Sequence, residues 1–197
     1  TTVDKVEYTD GLAIHKDDPK LNLTFKQLIG KLGQTGGPIV GRSNIDPVGH
    51  GPSYSANIVD IAVDKETGKV SILRYTAFQD VGTAIHPTYV EGQIQGGTTQ
   101  GIGWALNEAY YVNADGAMLN ASFLDYRMPT SLDLPMIETV MVEVPNPNHP
   151  FGVRGVGEAN ISPPLAALAN AISAATGSRL RDLPMTPENI RLSTESS

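Results

Sequence analysis

In FGVRGVGEANISPPLAALANAI, residues 151–172, one carboxylate, Glu158, follows Gly155-Val156-Gly157 and precedes a helix opened by Ser162-Pro163-Pro164. Glycine permits positive φ and lets backbone approach a neighbour closely. The free amides of a helix start favour negative charge nearby. Two readings of Glu158 follow: a carboxylate satisfied by that helix start, or a general base in a cramped, partly desolvated site, where its hold on a proton is strengthened. Arg154, four residues earlier, is a candidate partner that would weaken that hold.

A second chemical oddity is HPTYVEGQIQGGTTQGIGWALNEAYYV, residues 86–112, in which five glycines (Gly92, Gly96, Gly97, Gly101, Gly103) interrupt a helical pattern. Each costs roughly 1 kcal/mol against alanine in a helix interior, so together they forfeit about 5 kcal/mol of local preference. Gln93 and Gln100 are seven residues apart, two helical turns, and fall on one face with Gly96 and Gly97 between them. Such a stripe of two amides over bare backbone suits a planar polar ligand. It equally suits close packing of one element on another.

Other chemistries have little support. The chain of 197 residues has no cysteine, so it holds no disulfide, thiolate zinc site or cysteine-ligated iron–sulfur cluster. His15, His50, His86 and His149 lack metal-ligand spacing. There is no G-x-S-x-G elbow, no phosphate-binding G-x-x-x-x-G-K-[ST] and no G-x-G-x-x-G after a strand. Asp80 with Glu91, and Asp125 with Asp133, are carboxylate pairs whose separation nothing sets. Asp125-Tyr126-Arg127 reads as a turn or packing corner, and Trp104 as core. A net charge of -7 with no basic run argues against nucleic acid, and no apolar run reaches membrane-span length.

The elements that must position these residues are legible in outline. Asp10-Gly11 predicts a short hairpin followed by a turn. Thr24-Phe25-Lys26-Gln27 is a capping-box pattern, starting a helix that carries Phe25, Leu28, Ile29 and Leu32 and stops near Gly33. Two Val/Ile/Thr-rich strands flank the turn Lys65-Glu66-Thr67-Gly68. A helix is expected over 87–111, a turn at Asn113-Ala114-Asp115-Gly116, a strand over 137–144 and an extended loop over 145–150. A helix from Pro163 to Ala175 has Ser162 as its N-cap and Gly177 as its stop, and TPENI adds a last helical turn. With 40% apolar and 18% charged residues the chain is globular. The pattern is α+β: mixed hairpins and sheet with about three helices.

In the order GQ-I-QGG-TTQGIGWAL, SFLDYRMP, a Pro/Asn loop, GVRGVGE with a Pro-opened helix, and RDLPMTPE, the chain resembles the molybdenum-binding large subunit of the xanthine dehydrogenase and aldehyde oxidase family, the molybdenum hydroxylases. The resemblance runs from Ile39 to Pro187. It implies that the whole of 1–197 is the C-terminal portion of a larger molybdopterin-binding domain, with 1–38 a cut edge of the preceding part. It further implies that Glu158 is the catalytic base beside molybdenum, in the hydroxylation of an aldehyde or N-heterocycle with oxygen from water. Gln100 would contact the pterin or the metal's ligands, Gln93 the same cofactor, and Gly97 and Gly157 would line it. The pterin dithiolene, not the protein, would hold the metal.

The implied cofactor is molybdopterin in a dinucleotide form, with 2Fe-2S and FAD on other domains or chains. The implied partners are the N-terminal molybdopterin-binding portion, iron–sulfur and flavin subunits and a small-molecule substrate, in an oligomer without nucleic acid or membrane. Location would be cytoplasmic, with the periplasm open if a partner carries an export signal. A different reading, a non-catalytic structural or assembly module packing against a partner subunit, predicts a large exposed apolar surface.

Overall fold

A computed structural model describes residues 1–44 and 51–195 of the chain, the Thr35 side chain excepted. His50 lies outside the described residues. The chain divides into two units, Thr1–Asp46 and Pro47–Ser197.

In the first unit, Asp10 and Gly11 both take positive φ, as the tightest hairpins require. They join β1 (Val6–Thr9) to β2 (Leu12–His15). The residues read as a turn after this hairpin form a third strand, β3 (Asp18–Thr24), which completes an antiparallel sheet in the order β1-β2-β3. Asp18, Pro19, Lys20 and Asn22 are poor strand formers, so pairing with β2 overrides local preference. The capping box forms as expected: the Gln27 amide donates to Thr24 Oγ1 at 3.2 Å, and the Thr24 amide donates to Gln27 Oε1 at 2.9 Å. Helix α1 (Phe25–Gly30) stops at Lys31, and Leu32 opens a separate short α2 (Leu32–Thr35).

The second unit is built on the long hairpin β4 (Ser55–Val63) and β5 (Val70–Asp80). Its turn is made by Asp64, whose Oδ1 accepts from the Glu66 and Thr67 amides at 2.9 and 3.2 Å. Those donors hold the Asp64 carboxyl below its ordinary value. Gly68 takes a positive φ and passes close to the Pro187 backbone, where a side chain has no room. After β5 the chain crosses over through α3 (Pro87–Leu106) and returns as β6 (Ile137–Val142), parallel to β5. A parallel neighbour needs a crossover of this length. The sheet order is β4-β5-β6. Helices α4 (Pro163–Thr176) and α5 (Pro187–Glu195) complete the unit.

One sheet face is dry. Tyr75, Ala77 and Ile137 from the strands meet Ile94, Ile102 and Ala105 of α3, Leu168 and Ile172 of α4, and Met185 and Ile190. The fold class is the expected α+β, with two three-stranded sheets and three main helices. Three local expectations change. Helix α3 ends at Leu106, not near 111, because Asn107 leaves helical geometry and Tyr110 to Val112 turn outward. Ser162 sits at the N-cap position, but its side chain makes no capping bond. Trp104 is 53% exposed and lies outside the core.

The glycines of α3 divide into two kinds. Gly97 abuts Asn160, whose Cβ lies 3.0 Å from where a Gly97 Cβ would stand. Gly101 abuts the Ile161 carbonyl and Pro164 Cγ, and Gly103 abuts Glu108 and Pro129. Gly92 and Gly96 face open space. Gly101→Ala is therefore expected to destabilise the fold by about 1–3 kcal/mol through overpacking, and Gly96→Ala to stabilise it by up to about 1 kcal/mol through helix propensity. Opposite shifts of the two variants in thermal unfolding would bear this out; equal shifts would contradict it.

Candidate functional site

The site grows from the end of β5. Beyond Asp80, residues 81–83 bond to the segment 152–154: the Arg154 amide donates to the Val81 carbonyl at 3.3 Å, and the Thr83 amide to the Gly152 carbonyl at 2.9 Å. Gly82, at positive φ, bridges Val153 so closely that Arg154 Cγ would lie 3.0 Å from an added Cβ. Asp80 and Arg154 form an ion pair at 3.1 Å with side chains only 10% and 11% exposed. Arg154, weighed as a partner for Glu158, is thus committed to Asp80. It also donates to the Val144 carbonyl at 3.2 Å and the Pro52 carbonyl at 2.6 Å.

From this anchor the chain runs through Gly155, Val156 and Gly157 to Glu158, which is exposed. No hydrogen bond or ion pair joins the Glu158 carboxylate to a described residue; the helix start does not satisfy it. Neither Gly155 nor Gly157 uses positive φ. Nothing described lies within 4 Å of an added Cβ at Gly155, and at Gly157 only Gln93 Oε1 does, at 3.6 Å. Among the described residues these glycines answer neither a backbone need nor a packing need. Asn160, 1% exposed, then donates from Nδ2 to the Val156 carbonyl at 3.0 Å and seats itself on Gly97.

Sequence spacing placed Gln93 and Gln100 on one helix face, and both are exposed on α3 in one stripe with Tyr89, Gly92, Gly96 and Trp104. Gln93 and Gly157 meet, which joins this stripe to the Glu158 segment. Gly97 lies one step inward, buried against Asn160. Beside Gln93 is a cleft of about 280 Å³, floored by Val81, Val90, Val153 and Val156. One wall is the His86–Tyr89 stack, with ring centroids 4.1 Å apart. A larger cavity of about 750 Å³ lies at the other end of α3, among Ile102, Leu106 and Met185, and contains none of these residues.

Of the other candidate carboxylates, Asp80, Asp125 and Asp133 have structural partners, whereas Glu91 has none among the described residues. Asp80 holds Arg154, and Asp133 accepts from the Thr130 amide at 2.8 Å, which lowers its carboxyl from the ordinary value. In the Asp125-Tyr126-Arg127 turn, Tyr126 donates to Glu108 Oε2 at 2.7 Å. That bond is the main cause of a phenol pushed up to about 12. Among the described residues no three His, Cys, Asp or Glu side chains gather as a metal-holding group. Sequence reading missed Asn160 and the Asp80–Arg154 pair. The only prior signal for Asn160 was helical glycine with no stated neighbour. For Asp80 there was none, because its partner is far away in the chain.

Residues 1–135, more than half the chain, match the family described as molybdopterin cofactor-binding domain. Gln93, Gly97 and Gln100 fall inside that match, and Gly157 and Glu158 beyond it. The xanthine dehydrogenase molybdenum-binding subunit of Escherichia coli O157:H7 is 38% identical over 158 residues, which is 80% of this chain and 21% of that protein. Quinoline 2-oxidoreductase from Pseudomonas putida 86 superposes with a TM-score of 0.81 at 27% identity, over 99% of this chain and 26% of that one. Reconstituted CO dehydrogenase from Oligotropha carboxidovorans gives 0.80 at 26% identity, over 98% and 25%. The chain therefore spans about a quarter or less of the relatives it matches. No helix among the described residues is long and apolar enough to cross a membrane.

The seating of Asn160 on Gly97 is open to test. Asn160→Ala removes the Nδ2 donor to the half-buried Val156 and the buried amide beyond the Cβ seated on Gly97, and a loss of about 1–3 kcal/mol is expected. Chemical denaturation that finds the variant as stable as the parent would remove Asn160 from this account.

Proposed function

The chain belongs to the molybdopterin cofactor-binding family, and from that premise we propose that it forms one wall of the cofactor site in a molybdenum hydroxylase that acts on an aldehyde or N-heterocycle. One observation carries the proposal. Gly92, Gly96 and Gly155 are bare with neither positive φ nor a described neighbour within 4 Å, and they lie beside two exposed amides and a carboxylate without a partner among the described residues. Helical glycine costs about 1 kcal/mol per position, so a surface kept bare at Gly92 and Gly96 calls for an occupant from outside the chain. A planar, polar pterin fits such a surface.

In this reading the Gln93 and Gln100 amides, each able to donate and accept, bond the polar edge of the pterin. Gly96 and Gly157 leave room for it. Gly97 acts at one remove: by admitting Asn160 it holds Val156, and with it the start of the Gly157–Glu158 segment. When bound, the molybdenum cofactor supplies the two-electron oxidation. Glu158 serves as general base and takes the proton released as oxygen from water enters the substrate. Its freedom from Arg154, which is held by Asp80, supports that role; Glu158 is exposed in this chain, not cramped, and the desolvation a base needs would come from the group lying over the stripe. The cofactor is a dinucleotide form, and 2Fe-2S and FAD reside on partner domains or chains. The assembled oligomer works in the cytoplasm.

The N-terminal molybdopterin-binding portion is the proposed neighbour of the apolar loops at Phe123, Leu124, Leu132 and Met136, each at least 85% exposed. The same exposure favours the second reading, a non-catalytic assembly module. One experiment separates the two. In the assembled, molybdenum-containing enzyme, Glu158→Gln is expected to lower turnover by about 10²–10⁴-fold with molybdenum content unchanged. Turnover kept at the parent level would withdraw the base assignment and leave the assembly module.

A further inference from the structure

The segment that carries Glu158 is held at Arg154, at Val156, whose side chain packs on the core and whose carbonyl accepts from Asn160, and at Asn160 itself. At its far end Asn160 is buried on Gly97. At its near end stands Arg154, separated from Glu158 by Gly155, Val156 and Gly157. Two of those three are glycines without φ constraint or packing partners that would set their course. The direction in which the chain leaves Arg154 and the seat of Val156 together set where Glu158 stands. We propose that the buried Asp80–Arg154 pair is a positioning clasp, which sets the Glu158 carboxylate against the Gln93 and Gln100 stripe. This inference rests on the proposed role of Glu158 and deepens it; Arg154 and Asp80 are positioning residues that touch no reactant.

The clasp ties together four stretches of chain that are distant in sequence. Arg154 Nε reaches Asp80 Oδ2 at 3.1 Å and the Val144 carbonyl at 3.2 Å, while Nη1 reaches the Pro52 carbonyl at 2.6 Å. Asp80 Oδ1 accepts from the Gly82 amide at 3.0 Å, and the Asp80 carbonyl accepts from Ser53 Oγ at 2.5 Å. A planar guanidinium with donors in a fixed fork can serve three acceptors at once. A lysine ammonium keeps the charge but not the fork. A buried pair this well satisfied is poor evidence of added stability and better suited to imposing one arrangement. The use to which that arrangement is put is geometric: a misplacement of about 1 Å at a reacting group can cost about 10²-fold in rate.

The test uses the assembled enzyme with Arg154→Lys and Asp80→Asn. Three quantities are read: turnover per molybdenum atom, KM, and amide hydrogen exchange over residues 155–161. The expected result for Arg154→Lys is molybdenum content within about twofold of the parent and kcat lower by about tenfold or more. KM should change by less than about threefold, and exchange over 155–161 should be faster. A purely structural role predicts activity lost in proportion to molybdenum, with kcat per loaded site intact; that result overturns the proposal. Unchanged exchange over 155–161 in both variants overturns it as well, and that reading remains available if a variant loads no molybdenum. The base assignment fails separately, if Glu158→Gln alone retains turnover, and the exchange arm would still judge the clasp.

Discussion

Helix α3 approaches the segment after Glu158 more closely than any side chain would allow, and the second unit depends on that approach. Gly97 and Gly101 let Asn160, Ile161 and Pro164 lie directly against the helix backbone. Pro164 is itself part of α4, so the same contact sets where α4 begins. The two helices then close the sheet face with Ile94, Ile102, Leu168 and Ile172, all at most 1% exposed. Burying one such side chain is worth about 1.5–3 kcal/mol, enough to offset the roughly 1 kcal/mol that each glycine costs the helix. Glycine at these two positions is a packing device, and its role there is met within the chain.

Three other glycines have no such account among the described residues. Gly92 and Gly96 weaken α3 and touch nothing described, and Gly155 is equally bare. One helix thus carries two stripes of small residues with opposite purposes. The inner stripe is complete in itself; the outer one becomes intelligible only with a molecule lying over it. In the proposed function that molecule is the molybdopterin cofactor, the group named in the family's description.

Charge is distributed with a similar division. Arg74 and Glu138 pair at 2.7 Å on the open sheet face, where an exposed ion pair adds little stability. Arg154 and Asp80 pair in a nearly dry environment, where breaking either partner is costly. Glu158 belongs to neither arrangement. The nearest cation in sequence is withdrawn from it by the clasp, which leaves the Glu158 carboxylate without a partner among the described residues.

Much of this was legible without coordinates where the determining physics is local. The Asp64–Lys69 turn, the Thr24–Gln27 capping box, the Gly177 stop and the shared face of Gln93 and Gln100 follow from residue preference and helical periodicity. The order of motifs likewise identified the family. Strand β3 was not legible, since its pairing with β2 overrides residues that disfavour strands. Nor was the end of α3 at Leu106, the exposure of Trp104 or the seat of Asn160. Arg154 shows the limit most plainly: sequence proximity offered Glu158 as one candidate partner and left the choice open, while the end of β5 brings Asp80 to within 3.1 Å. Periodicity and turn chemistry act over a few residues and can be read along the chain. Which glycine is packed, which is open, and which acid an arginine meets are decided by elements that only folding brings together.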